Sequence, residues 1–432
     1  MKKLASLLSL ALAACVSYPY TPPALAPVTR PGPAASAPVA ARAQAEAPVT
    51  ILVSIDGFRP DYLDRGVTPN LNRLKAGGVS APMRPAFPSK TYPNHWTLVT
   101  GLVPDRHGIV SNNIDDPTGA HPPFTLATDD PGGWNAAEPI WVTAEKAGIR
   151  TATMFWPGSN VGWGGVRREG GHGEVDGATR PHDWQQFNQS ISGDQRVDAV
   201  IDWLRRPAAT RPRFVTLYFD TVDSAGHASG PDSAQVTGAA ADVDRLIGRL
   251  VDELAALNQP ANLEIVSDHG MAATSSTRTI ALDGILSPTD ATVGETGPYA
   301  GITPTPGRET AVAQALARPH PHMRCWRKDR IPARFRYGSN PRVPPYLCLA
   351  ETGWSIVKQP PARPFSGGNH GYDHQSAEMR ALFIAQGPAF VAGRRLPAFD
   401  NVDVAPLLRD LLGVPPGQGL DGTDAPFRKA MR

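Results

Sequence analysis

Cysteine is scarce in this 432-residue chain, with only three copies. So few thiols exclude a cysteine-built metal centre, which needs several Cys or His at ligand spacing. Net charge is nearly absent: 42 Lys and Arg against 40 Asp and Glu leave a formal charge of +2. A chain so balanced has no general attraction for polyanions. Genomic nucleic acid is therefore not expected as a partner, and any phosphate recognition must be local. The apolar run Leu4 to Ala14 is too short to span a bilayer, and no internal repeat is present. What the chain does hold is turn formers, 45 Pro and 41 Gly, beside an ordinary 41% hydrophobic and 19% charged composition. That combination buries a full core under a loop-rich surface. The length allows two average domains or one large α/β domain.

Lys2 and Lys3 followed by the Leu4 to Ala14 run read as an export signal. Leu12-Ala13-Ala14-Cys15 resembles the bacterial lipobox, which implies lipidation of Cys15 and attachment to a membrane. The alternative is an ordinary signal peptide with an incidental Cys. Either way the expectation is export, to the periplasm or as an outer-membrane-anchored lipoprotein of bacterial origin. Residues 1–15 are thus a leader and 16–48 a linker, since Pro and Ala supply 18 of the 31 residues from Tyr18 to Pro48 and cannot build a core. Outside the leader only Cys325 and Cys348 remain, 23 positions apart. In an oxidising compartment they are expected to pair, with two free thiols as the alternative.

Residues 49–432 form the expected catalytic domain. Thr50 to Ile55 is a short, almost wholly apolar run that suits a strand buried on both faces. Similar runs lie at Thr151 to Phe155, Arg213 to Phe219, Asn262 to Ser267 and Arg380 to Ala385. Helical patterns lie between them, at Pro69 to Ala76, Asn94 to Thr100, Pro139 to Lys146, Asp194 to Arg205, Ser233 to Leu257 and Val402 to Leu412. The alternation predicts an α/β fold with a mostly parallel central sheet and helices on both faces. Two stretches break the rhythm, near 158–192 (Gly-rich with Trp and His) and 280–358 (Pro-rich). They read as loop-rich insertions forming a small cap.

Asp56 directly follows the first strand, Asp223 comes just after the strand that ends near Asp220, and Asp268-His269 follow the strand ending at Ser267. Ligands of open α/β sheets sit beyond the carboxyl ends of the strands, so these residues should meet in space. Asp223 and His227 are four apart across Gly226, and His370 stands in the Gly368-Asn369-His370-Gly371 turn. Carboxylate with imidazole suits zinc, and manganese can replace it in a carboxylate-rich site. Taken singly, each of these residues is as well explained by a turn, a helix cap or a hydrogen-bonded loop histidine; their order and placement together carry the reading.

Ser54-Ile55-Asp56-Gly57, Phe87-Pro88-Ser89-Lys90-Thr91-Tyr92-Pro93-Asn94-His95, His107-Gly108-Ile109-Val110, Asp223 to His227, Ser267-Asp268-His269-Gly270-Met271 and His370-Gly371-Tyr372-Asp373 together resemble the nucleotide pyrophosphatase/phosphodiesterase family of the alkaline phosphatase superfamily. The likeness covers roughly residues 49 to 415. It implies an alkaline phosphatase-like fold and two Zn2+ per chain, one held by Asp223, His227 and His370, the other by Asp56, Asp268 and His269 with Thr91. Thr91 is then the nucleophile in hydrolysis of a small-molecule nucleotide or other phosphodiester or pyrophosphate, through a phospho-threonine. Asn112 matches the family's phosphoryl-oxygen donor, and Tyr92, with Phe187 opposite, is a candidate for stacking on a base. Turn composition alone also explains Asn112, and packing at the helix entry also explains Tyr92. His95, His107 and His374 read as supporting histidines, and His121, His172, His182, His320 and His322 as surface ones.

Three alternatives compete on the same residues. A phosphonoacetate hydrolase would need cations around a carboxylate. A phospholipid-headgroup phosphodiesterase would need a choline pocket, for which the Trp-rich Gly158 to Trp184 stretch is a source. A non-catalytic binding lipoprotein would have no use for six ligands and an intact nucleophile together. No arginine accompanies Thr91 in Ser89 to Asn94, which favours a singly charged diester, although the direction of Lys90 is open.

Overall fold

Apolar runs with turn residues at both ends become strands when both of their faces can be covered, and here both are. The computed structural model describes residues 47–115, 123–169 and 174–432. The leader with Cys15, nearly all of the 16–48 linker, His121 and His172 lie outside the described residues.

Val49–Ile55 is buried at every position and pairs in parallel with Phe214–Phe219 on one side and Ala261–Val266 on the other. The sheet continues through Thr151–Met154 to Asp183–Trp184 at one edge, and through Ala381–Gln386 and Val79–Arg84 to Arg394–Arg395 at the other. Ala381–Gln386 is antiparallel to both of its neighbours; the remaining pairings are parallel. One side of this sheet packs Ile51, Val53 and Ile55 against helices 69–77, 193–204 and 234–256 through residues such as Leu74, Ile201 and Leu246. The other side packs Leu52 and Phe214 against helices 91–100, 140–146 and 404–412 through Trp96, Trp141 and Leu408. Strand alternation thus sorts successive side chains into two cores.

The helix expected from Asn94 begins three residues earlier, at Thr91. Pro93 is tolerated because the amide of a first-turn residue has no partner within the helix in any case. The 280–358 segment is less irregular than its sequence: Ala291–Val293, Tyr299–Pro304, Tyr346–Ala350 and Met323–Arg327 form a four-stranded antiparallel sheet. Cys325 and Cys348 lie opposite each other in it and form a disulfide. Closing a loop of this length constrains the unfolded chain by about 3.4 kcal/mol. The double variant Cys325→Ser/Cys348→Ser should therefore unfold in urea with stability lower by about 3 kcal/mol; a loss below about 1 kcal/mol would show that packing alone secures the segment.

Candidate active site

The carboxyl ends of the parallel strands deliver the polar residues. Asp56 follows Val49–Ile55, and Gly57 behind it turns with φ +68°. A Cβ on Gly57 would come within 3.1 Å of the Asp223 Cα, so the bare glycine lets two carboxylate-bearing segments touch. Asp223 and His227 share a face of the helix Thr221–Ser229. Asp268 and His269 follow Ala261–Val266, His370 follows Ser366–Asn369, and Thr91 opens its helix.

These residues gather into two adjoining groups. In one, His227 Nε2 lies 3.1 Å from His370 Nε2 and 3.4 Å from Asp223 Oδ2, and His370 Nε2 is 3.6 Å from Asp223 Oδ1. In the other, His269 Nε2 lies 2.9 Å from Asp268 Oδ2 and 3.5 Å from Asp56 Oδ1. Ligand atoms of Asp56, Asp268 and His269 fall within 4.8 Å of one another, and so do those of Asp223, His269 and His370. His269 therefore stands between the two groups, stacked on His370 with ring centroids 3.5 Å apart.

Hydrogen bonds decide which nitrogen each ring presents. Nδ1 of His227 bonds the Gly368 carbonyl at 2.9 Å, Nδ1 of His269 the Gly270 carbonyl at 2.9 Å, and Nδ1 of His370 the Ser89 carbonyl at 2.8 Å. A carbonyl only accepts, so each Nδ1 carries the proton, and in the neutral rings each Nε2 turns a lone pair inward. Two such lone pairs facing at 3.1 Å call for a cation between them. Asp56 Oδ1, Asp223 Oδ1 and Asp268 Oδ2 are buried without a hydrogen-bond partner, which makes the same demand. Burial, followed by the charges of Asp268 and Asp223, pushes the Asp56 carboxyl well above its ordinary range. Burial raises Asp223 as well. Burial also works against the Asp268 carboxylate, but the positive charge that His269 and His95 carry when protonated outweighs it and holds Asp268 at about 2, an attraction that a metal ion beside the neutral rings would replace. The donor set, three carboxylates and three aimed imidazoles, fits two divalent metals of the zinc class.

Thr91 Oγ1 reaches this centre, 3.3 Å from His269 Nε2. His95 sits beneath it, fully buried, with Nδ1 donating to the Thr91 carbonyl at 2.9 Å and Nε2 2.8 Å from Ser54 Oγ. His107 is a structural residue, bonded to Thr97 Oγ1 and the Pro93 carbonyl. His182, His320 and His322 bond Glu145, the Ala315 carbonyl and Glu351, away from the site.

A cavity of about 450 Å³ opens beside Thr91, and Asp56, Asp223, Asn112, Tyr92 and Phe187 all line it. Tyr92 is held by a 2.6 Å bond from its hydroxyl to the Leu126 carbonyl and by ring contacts with Phe124 and Trp134. Phe187 is 45% exposed and sits edge-on to Phe155 and Tyr218. The Tyr92 N–H is not free: it donates to Asn112 Oδ1 at 2.9 Å. What Asn112 can offer a ligand is therefore its Nδ2 donor.

Two further features come from the structure alone. Tyr218 donates from its hydroxyl to Asp56 Oδ2 at 2.7 Å, and only the sheet register places it there. Lys90 turns away from the cavity toward Glu295, with Nζ 3.6 Å from Oε1. Glu295 also accepts from Ser111 Oγ and, at 2.9 Å, from the Tyr299 hydroxyl.

Residues 50–373 match the family described as type I phosphodiesterase / nucleotide pyrophosphatase. Mouse ectonucleotide pyrophosphatase/phosphodiesterase family member 1 is 37% identical over 391 residues, covering 87% of this chain and 42% of the mouse protein; the chain thus spans about two fifths of that relative. The Xenopus laevis protein named bis(5'-adenosyl)-triphosphatase enpp4 is 36% identical over 380 residues, covering 87% of this chain and 80% of that protein. Among solved structures, human ectonucleotide pyrophosphatase/phosphodiesterase 5 superposes with a TM-score of 0.82 at 34% identity, over 89% of this chain and all of the other. Its murine counterpart, with the same TM-score, identity and coverage, was solved as an inactive threonine-to-alanine variant in complex with AMP. With the match running through every segment that supplies the clustered residues, this chain belongs to the type I phosphodiesterase / nucleotide pyrophosphatase family.

Proposed function

We propose that this chain hydrolyses nucleotide-type phosphodiester or pyrophosphate bonds, using two zinc ions and Thr91 as a covalent nucleophile. The observation that carries this reading is the pair of inward-facing ligand groups with Thr91 Oγ1 at their edge. Zinc bound there supplies positive charge that eases deprotonation of a hydroxyl and offsets charge on the in-line oxygens. Thr91 Oγ1 attacks phosphorus and the bond to the leaving oxygen breaks; water then attacks phospho-Thr91 and restores the hydroxyl. Over the cycle the threonine proton passes to the leaving group, and one from water replaces it. Asn112 Nδ2 serves a non-bridging oxygen, while Tyr92 and Phe187 hold a base between them, since rigid aromatic faces bury area at low entropic cost. AMP in the murine neighbour supports a nucleotide in this cavity.

The Lys90–Glu295 pair supports a diester over a monoester. A doubly charged phosphate calls for an extra cation beside the nucleophile, and here that cation is already matched by a carboxylate. Zinc-loaded protein should cleave bis-p-nitrophenyl phosphate and a nucleotide ester well ahead of p-nitrophenyl phosphate and phosphonoacetate. Glu295→Gln, which frees the Lys90 charge, should raise monoester relative to diester turnover by roughly tenfold. Phosphonoacetate as the preferred substrate would overturn the assignment. Export, and attachment through Cys15, are part of the same proposal; the disulfide supports an oxidising compartment.

A further inference from the structure

Arg196 lies in the first turn of the helix Gly193–Leu204 and is 3% exposed. A cation there is opposed by the helix dipole and by its removal from water, so its position calls for specific partners. They stand beside the active-site cavity. Arg196 Nη1 donates to Asp220 Oδ1 at 2.7 Å and to the Tyr218 carbonyl at 3.0 Å, and Nε donates to the Ile191 carbonyl at 2.9 Å. One planar, fork-shaped group thereby joins the carboxyl end of the strand Phe214–Phe219 to the loop that precedes its own helix.

That loop, residues 185–192, carries Phe187, which lines the cavity. Its start is tied by the Gln185 amide, which donates to the Thr153 carbonyl at 3.1 Å. Beyond Phe187 it is tied by Arg196 and by a 3.3 Å bond from Gln189 Nε2 to Asp220 Oδ2. Asp220 lines the cavity as well, but one of its oxygens is on Arg196 and the other on Gln189, so it belongs to the same tie. The guanidinium also lies over the rings of Phe155 and Phe187, 5.0 and 5.8 Å from their centroids. Phe155, which meets the Phe187 ring edge-on, has φ +61°, a left-handed backbone that bulky residues rarely adopt. Such strain persists only where the surroundings hold it. Here Thr216 Oγ1 donates to the Phe155 carbonyl at 3.0 Å, and Arg196 covers the ring.

We infer that Arg196 is a positioning residue that fixes the Phe187 ring in the cavity and thereby sets the preference for nucleotides over diesters that carry no base. This rests on the reading of Phe187 as one wall of a base slot. Buried as it is, Arg196 acts through Phe187 rather than by touching substrate. A loop-borne aromatic binds well only if its place is paid for before the ligand arrives, and the guanidinium supplies that order.

Zinc-loaded, full-length protein tests this on the p-nitrophenyl ester of AMP and on methyl p-nitrophenyl phosphate, which share a leaving group and differ in the base. Phe187→Ala should raise KM for the nucleotide ester about tenfold with little change in kcat, because stacking on the base is lost. Arg196→Met should raise the same KM about fivefold, and Arg196→Lys, which keeps the charge but not the fork, about twofold. The ratio of kcat/KM between the two esters should fall by the same factors. In the double variant Arg196→Met/Phe187→Ala the ratio should match that of Phe187→Ala within about twofold, since a residue that acts only through Phe187 then has nothing left to act on. Arg196→Lys/Phe187→Ala gives the same reading if Arg196→Met does not fold. An unchanged ratio in the Arg196 variants, or losses that add in the double variant, overturns the role of Arg196 and leaves the base slot standing. An unchanged ratio in Phe187→Ala removes the base slot and this inference together.

Discussion

Replacing Thr91 with alanine is expected to lower kcat/KM for a nucleotide ester on the order of 10⁴- to 10⁶-fold while leaving zinc content near that of the wild type. The loss is large because the attacking atom itself is removed, and removal of a nucleophile elsewhere costs on this scale. Zinc is retained because the three carboxylates and three imidazoles that form the two groups are untouched. The fold should persist too, since Thr91 is only partly buried in the first turn of its helix and its side chain makes one long contact, 3.3 Å to His269. Thr91→Ser should keep a substantial part of the activity. In wild type, rapid quench and peptide mass spectrometry should find phosphate on Thr91, and a chiral substrate should give net retention at phosphorus. Near-wild-type turnover by Thr91→Ala, with inversion, would mean that water attacks directly.

The second large effect is expected from the ligands. On the proposed two-zinc reading, His370→Ala and Asp56→Ala should each hold about one zinc per chain against two expected for wild type, and each should lose at least about 10³-fold in diester hydrolysis, the several kcal/mol that a metal's charge contributes. The two variants strike different groups, since His370 meets His227 and Asp223 whereas Asp56 meets His269 and Asp268. Mass spectrometry under non-denaturing conditions reads the count directly. Unchanged zinc and unchanged turnover in both would defeat the ligand assignment.

Much of this centre was legible in the sequence because parallel strands export their chemistry to one end. Asp56 stands directly after a strand, Asp268 two residues beyond one and Asp223 four residues beyond one, so sequence position alone implied that they meet. What stayed hidden depends on pairings remote in the chain. Lys90 had no readable direction because the carboxylate it faces, Glu295, sits in the Pro-rich insertion. That insertion concealed its own sheet because Ala291–Val293 is only three residues long and its partner strands are separated by turns and short helices. Tyr218 reads as one more core aromatic in Phe214–Phe219 until the register sets it beside Ser54, two residues before Asp56. The helix start at Thr91 was obscured by Pro93, whose preference for a helix's first turn points to a start near Asn94, whereas the structure places it at the third helical position.

The three carbonyls that aim the imidazoles give the site an unusual relation to mutation. Gly368, which orients His227, lies two residues before His370; Ser89, which orients His370, lies two residues before Thr91. Two loops therefore steer the ring of another, while Gly270 aims its own neighbour His269, and the steering atoms belong to the main chain, which no side-chain substitution deletes. An alanine scan would pass over Ser89 with the loss of only a hydroxyl bond to the Tyr372 carbonyl. At Gly368 a substitution would disturb the aiming atom, because an added Cβ would come within 2.7 Å of the Gly226 carbonyl oxygen and push the strand away from His227, and at Gly270 it would come within 2.1 Å of the Glu378 carbonyl oxygen. The aiming of these imidazoles is thus encoded in loop paths, where residue-by-residue perturbation registers it at two glycines.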